Sequence, residues 1–184
     1  MSIFTNSHDA AAEEASQYIS AVLELVGERE PFEVLEESPR EVKRLIEGCS
    51  PKELRTPEQW GKWSMVEVLQ HLVDSEVVWT WRLRLIIAQD RPRLTGYDQD
   101  AWARELHYAE TDAKTALHEL EVLRASNLRL LRRLRPEQLD RVGLHSERGE
   151  ESVRHLIRLY AGHDLLHRNQ LERIRKGLGE KEEN

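Results

Sequence analysis

The sequence predicts an all-α fold, a four-helix bundle with short extra helices in its connections. Three observations carry this. Leu, Glu, Arg and Ala dominate the chain, and all four favour helix. Apolar residues recur at the helical period over four long stretches. Nowhere does a run alternate apolar and polar residues as a half-buried strand does. A hydrophobic share of 39% beside a charged share of 33% describes a globular chain, neither disordered nor membrane-spanning. Its 184 residues suit one domain over 1–184, with a core over about 10–177 and a frayed charged tail at 178–184.

The first helix is expected over 9–27, with Ile19, Val22, Leu23 and Val26 on its apolar face. Pro31 and Pro39 punctuate the next stretch, so only a short helix is expected there, over 40–47, before the Gly48-Cys49-Ser50-Pro51 break. Residues 51–63 read as a loop with one helical turn. Ser64 and Glu67 have the spacing of a capping box and open the second long helix, to about Gln89. Leu69, Leu72, Val73, Trp79, Leu83, Ile86 and Ile87 cover most of its circumference, as in a helix buried on more than one side. A loop over 90–97 leads to a short helix over 98–105, and the third long helix spans 111–134. Pro136 opens a turn, and 142–151 has two glycines and no helical pattern. The last long helix runs over 152–176, ended by Gly177 and Gly179.

Cys49 is the single cysteine, so no internal disulfide can form, and no base lies near it in sequence to make it a nucleophile. No basic start followed by an apolar run marks a signal peptide, and no stretch reaches the roughly 20 apolar residues of a membrane span. A cytoplasmic protein without a membrane partner is expected. The net charge of −7 speaks against nucleic acid. The densest basic run, Arg129, Arg132, Arg133 and Arg135, reads as a solvated helix end.

Of eight histidines, His163 and His167 are the informative pair. Four residues apart, they share one face of the last helix, inside the apolar stripe of Val153, Leu156, Tyr160, Leu171 and Ile174. Two buried imidazoles need partners. Either each is satisfied by a core hydrogen bond, or the pair converges on a metal ion, the helical half of the H-E-x-x-H logic without its glutamate. His71 is the best candidate for a third ligand, although it sits off the main stripe of its helix, in a row with Val78 and Leu85. It faces the core only if that helix buries a second side. His155 lies roughly 12 Å along the axis from His163, too far to share the ion. Glu76 falls inside the main stripe, where a carboxylate needs a partner.

The segment from Lys62 to Glu76, KWSMVEVLQHLVDSE, resembles the W-S-x-x-E-x-x-x-H-L-x-D-x-E signature of the DinB/YfiT-like superfamily. Tyr160 to Gln170, YAGHDLLHRNQ, resembles its H-x-x-x-H-x-x-Q pattern, and Tyr97 to Trp102 is similar to a loop–helix segment of one branch. The likeness covers roughly residues 12–177. It implies a four-helix bundle, a homodimer, and one divalent metal, zinc or nickel, held by His71, His163 and His167.

Three neutral imidazoles leave a coordination position open, as catalytic sites do. Two chemistries follow: hydrolysis of a small-molecule substrate by activated water, or, as in some relatives implied by the resemblance, thiol-S-transfer with bacillithiol or mycothiol. Asp74, Glu76 and Gln170 are candidates to orient the imidazoles through their free N–H. Asp98 and Trp102 read either as a pocket mouth or as ordinary packing at a helix start. A ferritin-like di-metal site needs Glu-x-x-His on two helices; Glu67–His71 and Glu151–His155 are each one residue too long. A non-catalytic helical binding protein is the remaining alternative.

Overall fold

The computed structural model describes the backbone of residues 8–182 and the side chains of 15–179. The helices are α1 (His8–Val26), α2 (Pro31–Ile46), α3 (Pro51–Leu54), α4 (Met65–Ala88), α5 (Gln99–Glu105), α6 (Ala113–Leu131), α7 (Pro136–Leu139) and α8 (Val153–Glu182). A 3-10 turn, Tyr108–Glu110, precedes α6, and three short strands, β1 (Arg93–Leu94), β2 (Val142–His145) and β3 (Gly149–Ser152), form one small sheet.

Four helices close a ring: α2 packs on α8 and α6, and α4 packs on α6 and α8. Contacts along the pairs fix their directions. Thr111 reaches Gln70 and Asn127 reaches Thr80, so α6 runs parallel to α4. His71 meets His163 while Tyr160 meets Ser75 further along α4, so α4 and α8 are antiparallel. The parallel α4–α6 pair needs the long crossover that carries α5 and the 3-10 turn. Helix α1 lies along α8 outside the ring. Gly27, in the left-handed region at φ 54°, ends α1 and lets the chain reverse into α2.

Two apolar clusters stack inside the ring. One gathers Leu35, Trp79, Leu83, Leu128, Leu156 and Tyr160; the other gathers Val42, Leu45, Leu69, Leu120, Leu171 and Ile174. In sequence, each ring helix passes from one cluster to the other through buried polar residues: Ser38 in α2, Ser75 and Glu76 in α4, Arg124 and Asn127 in α6, Asp164 in α8. A polar layer therefore crosses the middle of the bundle.

The structure departs from sequence expectation in three places. Helix α2 starts at Pro31 and not at Arg40: Pro31 occupies the first turn, where its missing N–H costs nothing, and Pro39 lies inside the helix. Pro39 leaves the Leu35 carbonyl without a helical donor, and the Arg124 side chain supplies one at 2.9 Å. Gly177 and Gly179 do not end α8, which continues to Glu182 without the positive φ that a glycine cap requires. Residues 142–152 form β2 and β3, an antiparallel pair whose four-residue strands are too short to show an alternating pattern, with β1 parallel to β2.

Helices α1 and α8 pack tightly at Gly162. A Cβ there would stand 2.1 Å from the Val22 carbonyl oxygen, a backbone atom that cannot swing aside. Gly162→Ala should destabilise the protein by about 3 kcal/mol or more in urea unfolding, the upper end of overpacking costs; a change under about 1 kcal/mol would mean that α1 is free to move.

Candidate metal centre

The three histidines meet at the polar layer. Ser64 opens α4 with its N–H and hydroxyl both donating to the Glu67 carboxylate, at 2.8 and 2.6 Å, and the helix then buries two sides between α6 and α8. That second buried side is what turns His71 inward. Its Nε2 lies 3.1 Å from Nε2 of His163. Ring centroids are 5.2 Å apart for His71 and His163, 4.7 Å for His71 and His167, and 4.5 Å for His163 and His167. One ligand nitrogen from each ring lies within 4.8 Å of the others.

Burial, then the neighbouring His167 and His163, push His71 well below the ordinary histidine range. Burial, then His163, push His167 down to about 3. Both rings are therefore neutral at physiological pH, the form that ligates metal. The Gln170 amide oxygen lies 2.9 Å from His167 Nδ1, fixing the proton there and leaving Nε2 with its lone pair. Nitrogens that share one zinc at about 2.0–2.1 Å stand no more than about 4.2 Å apart, and the 3.1 Å pair satisfies this. Nδ1 of His71 and of His163 are buried without a hydrogen-bond partner. Two ring nitrogens facing each other at 3.1 Å in a largely buried cluster fit a site made for a cation between them.

Of the other residues singled out by sequence, Gln170 reaches a histidine and two do not. Asp74 accepts from Tyr108 Oη at 2.5 Å and Gln70 Nε2 at 3.1 Å. Glu76 accepts from Arg124 Nε at 3.1 Å and Nη2 at 2.9 Å, and from Asn127 Nδ2 at 2.8 Å. Asp98 caps α5 through the N–H groups of Asp100 and Ala101, which is ordinary packing at a helix start. Trp102 packs on Tyr97 with centroids 4.4 Å apart. Arg132 and Arg135 of the basic run pair with Glu36 and Glu137. Glu67 is spent on Ser64, and Glu151, in the sheet, pairs with Arg148, so neither glutamate of the ferritin-like alternative joins the cluster.

Several residues of the site were not singled out by sequence. Ser75 Oγ stands 3.4 Å from His71 Nε2 and 3.1 Å from the Tyr97 hydroxyl, which burial raises and so keeps protonated. Trp63 packs against His71 with centroids 4.9 Å apart. Beyond it lies an open cleft of about 790 Å³, walled by Trp60, Trp63, Glu67, Arg104 and His107. Arg124, 3% exposed, donates to Glu76, to Asp164 at 2.5 and 3.2 Å, and to the Leu35 carbonyl, so one guanidinium on α6 holds α2, α4 and α8. Its sequence signal is an arginine at heptad spacing among Leu117, Leu120, Leu128 and Leu131.

The comparisons with known proteins agree with this geometry. Residues 34–171 match the model of the DinB superfamily. Relatives from Bacillus cereus and Bacillus mycoides, each named "Putative metal-dependent hydrolase", are 31% identical over 144 residues, which is 78% of this chain and 83% of theirs. The structure of YfiT from Bacillus subtilis, described as a probable metal-dependent hydrolase with an unusual four-helix bundle topology, superposes with a TM-score of 0.77 at 27% identity, over 81% of this chain and 86% of that one. The chain belongs to the DinB superfamily.

Replacing Arg124 by Met strands Glu76 and Asp164 as buried, unpaired carboxylates. We expect Arg124→Met to cost about 3–5 kcal/mol in chemical denaturation; a loss below about 1 kcal/mol would show that the polar layer is reached by water.

Proposed function

We propose that the protein is a metal-dependent hydrolase of a small molecule, with one divalent ion, zinc or nickel, held by Nε2 of His71, His163 and His167. The convergence of three imidazoles, His71 and His167 buried and His163 partly so, carries the reading. When bound, a divalent ion with three protein ligands keeps a position open and supplies Lewis acidity to water or substrate.

The chain's own residues do the rest. Burial keeps His71 and His167 unprotonated and so available as ligands. Gln170 holds the His167 ring and its tautomer. Trp79 and Tyr160, stacked with centroids 4.5 Å apart, make a rigid wall behind His163. Ser75 brings a hydroxyl beside His71, and the Tyr97 hydroxyl in turn shares a hydrogen bond with Ser75. The cleft beyond Trp63 supports a small-molecule substrate. A homodimer is supported by Val77 and Trp81, 47% and 62% exposed one turn apart on α4. A cytoplasmic setting is supported by the single cysteine.

Elemental analysis of the purified protein, beside a His163→Ala, His167→Ala double variant, tests the reading. About one zinc or nickel per chain is expected in the parent and none in a folded variant. Hydrolysis across a panel of esters, amides and lactones should fall with a chelator and return with metal. No uptake by the parent, even after loading with zinc, nickel and manganese, would remove the proposal.

A further inference from the structure

Asp164 follows His163 in the chain, yet it points at Arg124. Its Oδ2 accepts from Nη1 at 2.5 Å and its Oδ1 from Nη2 at 3.2 Å. That same Oδ1 lies 3.9 Å from Nδ1 of His163, too far for a hydrogen bond but with nothing else bonded to that buried nitrogen. Asp164 and Glu76 are each 1% exposed and share one guanidinium, so the buried group carries two negative charges against one positive. A uniformly apolar layer would pack there at no desolvation cost. The surplus negative charge stands beside three rings that, as neutral ligands, bring no charge of their own to offset a dication.

We propose that Asp164 is the counter-charge of the metal centre, acting through His163, and that Arg124 is the residue that positions it. The inference rests on the metal reading above and adds to it the carboxylate that orients the His163 ring. The Pro39 position belongs to the same device. By withholding an N–H from the Leu35 carbonyl, Pro39 gives Arg124 a third acceptor on α2, which fixes the guanidinium and hence Asp164 Oδ1. Bound metal draws electron density from the imidazole and makes its Nδ1–H a stronger donor, and an anion on that side of the ring stabilises the pair. Asp164 acts on His163 by its charge across 3.9 Å, whereas Gln170 is hydrogen-bonded to His167 at 2.9 Å.

The test compares zinc affinity, by competition with a chromophoric chelator, in the parent, Asp164→Asn and Glu76→Gln. Asn removes the charge and keeps one oxygen for Arg124, the second acceptor being replaced by an NH2 group. Glu76→Gln removes the same charge from the same guanidinium on the side that touches no histidine. We expect Asp164→Asn to weaken zinc binding about 10- to 100-fold, to shift the ligand-field bands of the cobalt-loaded protein, and Glu76→Gln to do neither beyond about threefold. Equal losses in the two variants, or an Asp164→Asn affinity within about twofold of the parent, would overturn the role of Asp164 while leaving the metal site intact. No zinc binding by the parent would overturn both. Should Asp164→Asn fail to fold, nitrogen-15 spectra of the zinc-loaded parent decide. A proton on His163 Nδ1, with Nε2 bound to zinc, agrees with the proposal; a ring bound through Nδ1 overturns it.

Discussion

One guanidinium organises this bundle. Arg124 sits on α6, 3% exposed, and bonds to α2, α4 and α8 at once. Its charge is opposed by burial, but Asp164 and Glu76 outweigh that and hold it firmly protonated. Its Cζ also lies over the Trp79 ring, 5.7 Å from the centroid, and that ring in turn stacks on Tyr160. A flexible lysine offers neither the planar fork nor the stacking surface. Helix-on-helix packing by apolar side chains alone tolerates sliding; hydrogen bonds with fixed geometry do not. The network therefore sets the axial match of α4 against α8, and that match decides whether His71 meets His163 and His167.

The layered core follows the same logic. Two apolar clusters supply the burial that stabilises the fold, and the polar layer between them supplies a unique arrangement. The three-histidine cluster occupies one side of that layer and the Arg124 network the other, joined at the His163–Asp164 step of α8. Chemistry and framework are neighbours in sequence as well as in space. Asp164 and Glu76 are alike in burial and partner, but only Asp164 also faces a histidine, His163.

Much of this was legible in the sequence, for physical reasons. The four-residue spacing of His163 and His167 inside an apolar stripe required a partner for each ring, and the Ser64–Glu67 pair placed the start of α4. His71 was less legible, because a helix wheel ranks faces by apolar content and α4 buries two unlike faces. Helix α2 was cut short because Pro39 was read as a breaker; the donor that rescues the Leu35 carbonyl lies 89 residues away on another helix, beyond any local rule. Asp74 and Glu76 are both candidates in sequence to orient an imidazole, and only the packing shows Tyr108 claiming one and Arg124 the other. The strands, four residues or fewer, are held by pairing with each other and not by local preference.

X-ray absorption at the metal edge of the zinc- or nickel-loaded protein tests the central claim most directly. A shell of three imidazole nitrogens and at least one further light atom, with no sulfur, is the result predicted. A shell dominated by carboxylate oxygen, or one containing the Cys49 sulfur, would place the ion elsewhere and contradict the account.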